Sequence, residues 1–88
     1  MKVCTVFEPN GEGGYGVYFP GLPGCISVGD SLAEARRMAL EAVVGHLALL
    51  LADGDAISPH LAVKPQRVPK GAVVEVLEVP DAETRAGG

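Results

Sequence analysis

The sequence predicts an α+β fold in which a three-stranded antiparallel meander is followed by one helix and then a fourth strand, in the order β-β-β-α-β. Three observations predict it. Runs of β-branched and aromatic residues alternate with Gly- and Pro-rich turns through the first 29 positions. One long helical stretch follows, opened by a capping motif and closed by Asp53-Gly54. A last β-branched run comes only after a proline-studded connector.

The first strand is Lys2 to Glu8, Lys-Val-Cys-Thr-Val-Phe-Glu. It cannot continue into Pro9-Asn10-Gly11-Glu12-Gly13-Gly14, where an Asn and three glycines supply the positive φ values of a hairpin loop. Tyr15 to Pro20 returns as the second strand with Tyr15, Val17 and Phe19 on one face. Gly21-Leu22-Pro23-Gly24 makes the next turn, and Cys25 to Gly29 the third strand. At the helix start Ser31 is placed to cap free amides while Glu34, three residues on, reaches back to the Ser31 amide. Asp30 adds negative charge beside the positive helix end.

The helix is expected to run to about Ala52. On a wheel of about 100° per residue, Leu32, Ala35, Ala39, Ala42, Val43, His46, Leu49 and Leu50 form one apolar stripe. Leu40, Val44, Leu47 and Leu51 form a second beside it. Together they span about 200°, twice the arc that one packed face needs. Either the segment after the helix covers the second strip, through Ile57, Leu61, Val63 and Val68, or a second chain does; that segment has few apolar residues to offer, so the strip is the expected interface of a homo-oligomer, a dimer or higher. Residues 55–71 hold Pro59, Pro65 and Pro69 and read as an extended connector. Ala72 to Val79 is the last strand. Glu75 and Glu78 point to opposite sides of it, which places it at a sheet edge. The helix should carry the chain from the third strand to the last by a right-handed crossover. One domain, residues 1–80, accounts for the fold, with 81–88 as a disordered tail.

The composition excludes several classes of function. A net charge of −4 argues against nucleic acid as the main partner, because binding phosphates requires a basic surface, and it suits a basic protein instead. No basic-apolar leader opens the chain, and no apolar run approaches the ~20 residues of a membrane span. A cytoplasmic location is expected, with Cys4 and Cys25 as free thiols. No pair among Cys4, Cys25, His46 and His60 has metal-ligand spacing, and no metal or cofactor is expected. Cys25 and His46 lack a third orienting group, so the pair reads as packing rather than as a nucleophile and its base. The glycines at 11–14 lead into a strand, whereas phosphate-binding loops open a helix. Lys64, Arg67 and Lys70 recur in the connector with no aromatic side chain to stack a base, and read as a solvated strip.

The run from Gly14 to Cys25, Gly-Tyr-Gly-Val-Tyr-Phe-Pro-Gly-Leu-Pro-Gly-Cys, followed by Gly29-Asp30-Ser31-Leu32-Ala33-Glu34-Ala35, resembles the HicB-like antitoxin family. The resemblance rests on Tyr15, Phe19, Pro20, Leu22, Pro23, Gly24, Cys25, Asp30, Ser31 and Glu34. These are turn, hairpin and cap residues, and they speak for the fold before the activity. The match is good to about residue 54 and loose beyond. It implies a partly degraded RNase H-like fold with strands ordered 3-2-1-4 and one helix on the sheet. It also implies a protein that binds and neutralises a HicA-type toxin, a small basic protein that cleaves mRNA. Many members add a C-terminal DNA-binding domain; this chain ends at Gly88 with no room for one, and direct DNA binding is not expected. The alternative is a stand-alone oligomeric interaction or ligand-binding module. A surviving RNase H-like nuclease would need converging carboxylates, the first from the middle of the first strand, where Cys4, Thr5 and Val6 stand instead. The chain is not expected to be an enzyme. Glu75 and Glu78 are the expected partner-binding residues.

Overall fold

β1 (Lys2–Pro9), β2 (Tyr15–Tyr18) and β3 (Ile26–Gly29) form the meander, α1 (Leu32–Ala52) follows, and β4 (Val73–Glu78) closes the fold. The structure, a computed structural model, describes residues 1–80; the tail expected at 81–88 lies outside the described residues. The sheet order is β3-β2-β1-β4 with every neighbouring pair antiparallel, which is the order the family resemblance implied. β2 stops at Tyr18 and β3 starts at Ile26, each short of the bound read from sequence, because Phe19–Cys25 is taken up by two consecutive tight turns. The Leu22 amide donates to the Phe19 carbonyl at 2.9 Å and the Cys25 amide to the Leu22 carbonyl at 3.1 Å. Gly24, at φ 88°, makes the second turn possible.

The expected right-handed crossover does not apply. That rule governs parallel strands in one sheet, and here β3 and β4 run antiparallel at opposite edges. The helix and connector simply carry the chain from one edge to the other, and β4 completes the sheet against the free side of β1.

α1 packs on one face of the sheet. Its cap differs by one residue from expectation: the Ser31 hydroxyl accepts from the Glu34 amide at 3.1 Å, while the Glu34 carboxylate accepts from the Asp30 amide at 2.8 Å rather than from that of Ser31. At the far end Gly54 takes φ 72°, as the Asp-Gly signal implied. The buried row is Ala35, Ala39, Val43 and Leu47, an i, i+4 ridge. Such a row drifts about 40° around the helix per step, so the contact line leaves the averaged wheel position over the three steps from Ala35 to Leu47. That drift accounts for two corrections. Leu49, assigned to the packed stripe, is 60% exposed, whereas Leu47, assigned to the oligomer strip, is 2% exposed in the chain's own core. The small alanines bring the helix close to the sheet, and Val3, Phe7, Val17, Phe19, Leu22, Cys25, Leu61 and Val79 complete the cluster. Gly29 makes the closest approach. A Cβ there would stand 2.4 Å from the Ala35 nitrogen, so only hydrogen fits where β3 turns under the helix.

The connector is not merely draped outside. Its Leu61 carbonyl accepts from the Cys4 amide at 2.7 Å, filling the place beside β1 that the short β2 leaves vacant. Beyond β4, the Val79 amide donates to the Met1 carbonyl at 2.7 Å and the Met1 ammonium donates to the Val79 carbonyl at 2.9 Å, extending the ladder by one residue.

Candidate partner-binding surface

Strand register decides which side chains face the helix and which face out. Val3 and Phe7 lie in the helix-side cluster. Their partners Leu77 and Val73, and Glu75 opposite Thr5, therefore share that side. Val74, Val76 and Glu78 face the other side, which also holds the fully buried Cys4 and Val6, and Glu78 lies opposite Lys2. β4 is an edge strand and its two carboxylates lie on opposite sides, both as the sequence implied.

The two glutamates are nonetheless unequal. Glu78 is exposed. Glu75 is clamped by Arg36 from the first turns of α1: Arg36 Nε donates to Glu75 Oε1 at 2.9 Å and to Oε2 at 3.2 Å, and Nη2 donates to Oε2 as well. That forked pairing holds the Glu75 carboxyl below its usual range and raises the guanidinium, hydrogen bonding being the larger cause in each. Glu75 thus ties the β4 edge to the helix. Arg36 went unremarked in the sequence, since nothing local signals a partner 39 residues away.

The residues that carried the family resemblance build the turn and cap rather than a pocket of reactive groups. Phe19, Leu22 and Cys25 are buried, Tyr15 is half-buried against the cluster, and Pro20, Pro23, Gly24, Asp30 and Ser31 lie at the surface, with Glu34 partly covered. Between this turn and the connector lies an open cleft of about 470 Å³, lined in part by Pro20, Pro23, His60 and Lys64. Of the residues expected at an oligomer interface, Leu40 and Leu51 are 38% and 46% exposed, Val44 is half-buried, and Leu47 belongs to the core. A second shallow hollow of about 430 Å³ lies over Leu40, Glu41, Val44 and Gly45.

No cluster of three His, Cys, Asp or Glu able to hold a metal occurs among the described residues. The middle of β1, where a two-metal nuclease needs its first carboxylate, holds Thr5, whose hydroxyl donates to the Val3 carbonyl at 3.3 Å. Cys25 joins the helix-side cluster, whereas Cys4 alternates with Val3 to the other face, so the thiols lie on opposite sides of the sheet. Burial pushes both thiols up, with Lys64 pulling weakly the other way on Cys4. Neither is an activated nucleophile. No helix of the described residues is long and apolar enough to cross a membrane.

A four-stranded antiparallel sheet with a single helix on one face defines a small α+β domain. Residues 4–83 match the model of the HicB-like antitoxins of bacterial toxin-antitoxin systems, and the chain belongs to that family. It is 37% identical over 57 residues to Antitoxin HicB 1 of Photorhabdus laumondii, covering 65% of this chain and 37% of the relative. It is 43% identical over 44 residues to an uncharacterised 14.9 kDa protein of Haemophilus phage HP1, covering 50% of this chain and 33% of that one. The chain thus spans about a third of the length of these curated relatives. Among solved structures, the N-terminal domain of the Burkholderia pseudomallei antitoxin HicB superposes with a TM-score of 0.67 at 28% identity, covering 91% of this chain and 99% of the domain. A chain of the HicA3–HicB3 toxin-antitoxin complex superposes with a TM-score of 0.69 at 24% identity over 92% of this chain, a likeness of fold alone.

Proposed function

We propose that this protein is a non-enzymatic antitoxin that binds a small, basic, mRNA-cleaving toxin of the HicA type and masks it. The observation that carries this reading is the family match over residues 4–83, which runs through the meander, the helix and the β4 edge without a gap in the architecture. The net charge of −4 supports a basic protein as partner rather than nucleic acid. An mRNA-cleaving target would act in the cytoplasm, which supports a cytoplasmic location for this protein.

The β4 edge is the proposed docking surface, with Glu78 as the exposed carboxylate, unpaired among the described residues, and Glu75 as a group already engaged by Arg36. Reversing both charges would confound binding with folding, because a lysine at 75 would face the Arg36 guanidinium. Glu78→Lys is the cleaner probe. The test is to express any small basic protein encoded by an adjacent reading frame, show that it cleaves mRNA, and titrate this chain into that reaction. Inhibition complete at a stoichiometric ratio, with affinity lowered at least tenfold by Glu78→Lys, is expected. Cleavage that continues undiminished in excess of this chain would refute the antitoxin reading; unchanged affinity of the variant would move the interface off β4.

A further inference from the structure

We infer that Asn10 is a site of self-modification: the Gly11 nitrogen closes on the Asn10 side chain, ammonia leaves, and the hairpin loop is left with an aspartate or an isoaspartate at position 10. The inference is independent of the antitoxin reading.

Asn10 is the chain's single asparagine, and glycine follows it. Loss of ammonia from an asparagine needs a reachable nitrogen on the next residue and an electrophilic side-chain carbon. The β1–β2 loop supplies both. Asn10 is exposed, and nothing stands within 4 Å of the place where a Gly11 Cβ would be, so the approach to the Gly11 nitrogen is uncovered. Gly11 sits at φ 84°, a conformation that side chains resist and that keeps the position a glycine. Among the described residues the Gly11 amide donates no hydrogen bond, so its nitrogen is not committed elsewhere.

The Asn10 side chain is gripped by its oxygen. Oδ1 accepts from the Glu12 amide at 2.9 Å and from the Gly14 amide at 3.2 Å. Both neighbours are N–H donors, which sets the carboxamide with oxygen rather than nitrogen toward them. Two amides aimed at one carbonyl oxygen stabilise the oxyanion that forms when a nucleophile adds to the carbon. Here they act on the chain's own carboxamide.

The chemistry needs only water. The Gly11 nitrogen gives its proton to solvent and bonds to Asn10 Cγ. The oxyanion at Oδ1 collapses, the Cγ–Nδ2 bond breaks, and Nδ2 takes a proton from solvent to leave as ammonia. Water then opens the five-membered imide at one of its two carbonyls. Opening at Cγ restores an ordinary backbone with aspartate; opening at the main-chain carbonyl routes the backbone through Cγ as isoaspartate.

The two products differ in what they do to the hairpin. The Asn10 amide donates to the Gly14 carbonyl at 3.0 Å, just beyond the Pro9–Tyr15 pair that ends the β1–β2 ladder. Aspartate keeps that backbone and an oxygen for both loop amides, with a charge that strengthens the bonds. Isoaspartate adds a backbone carbon between the Cα of residue 10 and the Gly11 nitrogen. The former side-chain acceptor becomes main chain, and the loop loses the contacts that close it.

The test incubates the intact folded chain at neutral and at alkaline pH and follows it by intact mass and peptide mapping. A gain of about one dalton, faster at alkaline pH and confined to the peptide that holds Asn10 rather than Gln66, is expected. The native chain should react at least as fast as the chain unfolded in guanidinium chloride, since unfolding disperses the two amides. The isoaspartyl form, separated by ion exchange, should melt below the Asn10→Asp variant, which should melt with the unmodified chain. No gain in the native chain overturns the inference, as does a gain that appears only in guanidinium chloride. An isoaspartyl form that melts with Asn10→Asp would overturn the effect on the hairpin.

Discussion

Leu47 and Leu51 are a turn apart on the same helix and look alike in the sequence, yet the structure assigns them different energetics. Leu47 is 2% exposed among Ala39, Val43 and the sheet, while Leu51 is 46% exposed. Truncating a fully buried leucine removes its transfer free energy and leaves a cavity, together about 2–5 kcal/mol. A domain of this size has a total stability of about 4–13 kcal/mol. Leu47→Ala should therefore lower the melting temperature by about 8–40 °C, at about 4–8 °C per kcal/mol. Leu51→Ala removes surface that remains largely wet in the folded chain and should cost under about 1 kcal/mol. Urea unfolding followed by circular dichroism, at two protein concentrations tenfold apart, separates the cases. Equal costs for the two variants, with the Leu51→Ala cost growing with concentration, would mean that a second chain covers the end of α1. The assignment of Leu47 alone to the intrachain core would then be wrong.

Gly29→Ala should destabilise by about 1–3 kcal/mol in the same assay, because its Cβ meets backbone of Ala35 and not a side chain that can swing away; a neutral result would mean that the helix start can shift. The Arg36–Glu75 pair predicts a pH effect whose sign is set by the carboxylate. Its folded pKa is depressed, so its contribution is present above the unfolded value of about 4.3 and is lost as pH falls through the lower folded value. Between pH 6 and pH 3 the native chain should lose more stability than Glu75→Gln, and parallel curves would show the pair to be idle. Cys4 and Cys25 should remain unreactive to a thiol reagent until the chain unfolds, since both are buried with raised thiols; rapid labelling of the native protein would contradict that, and an intact mass two daltons lighter without reductant would show a disulfide.

How much of this was legible in the sequence depends on the range of the interaction. The strands, the helix start at Ser31, the Gly54 stop and the Gly21–Gly24 turn were readable from local chemistry: β-branched runs, a cap within hydrogen-bond reach, glycines where φ must be positive; that turns also take up Phe19, Pro20 and Cys25, which read as strand ends, was not. The Gly14–Ala35 motifs likewise identified the family, because they are themselves turn and cap residues. Decisions that depend on how elements meet were not readable. A helical wheel is an average over turns, while a helix on a sheet buries one inclined i, i+4 ridge; that is why Leu47 went inward and Leu49 outward. Glu75 carried its charge visibly, but only the β1–β4 register and the approach of α1 brought Arg36 to it. Sequence by itself determined the elements and their caps through contacts a few residues long; the tertiary structure alone decided which of several equivalent apolar and charged side chains remain free to meet another protein, because exposure is a property of neighbours distant in the chain.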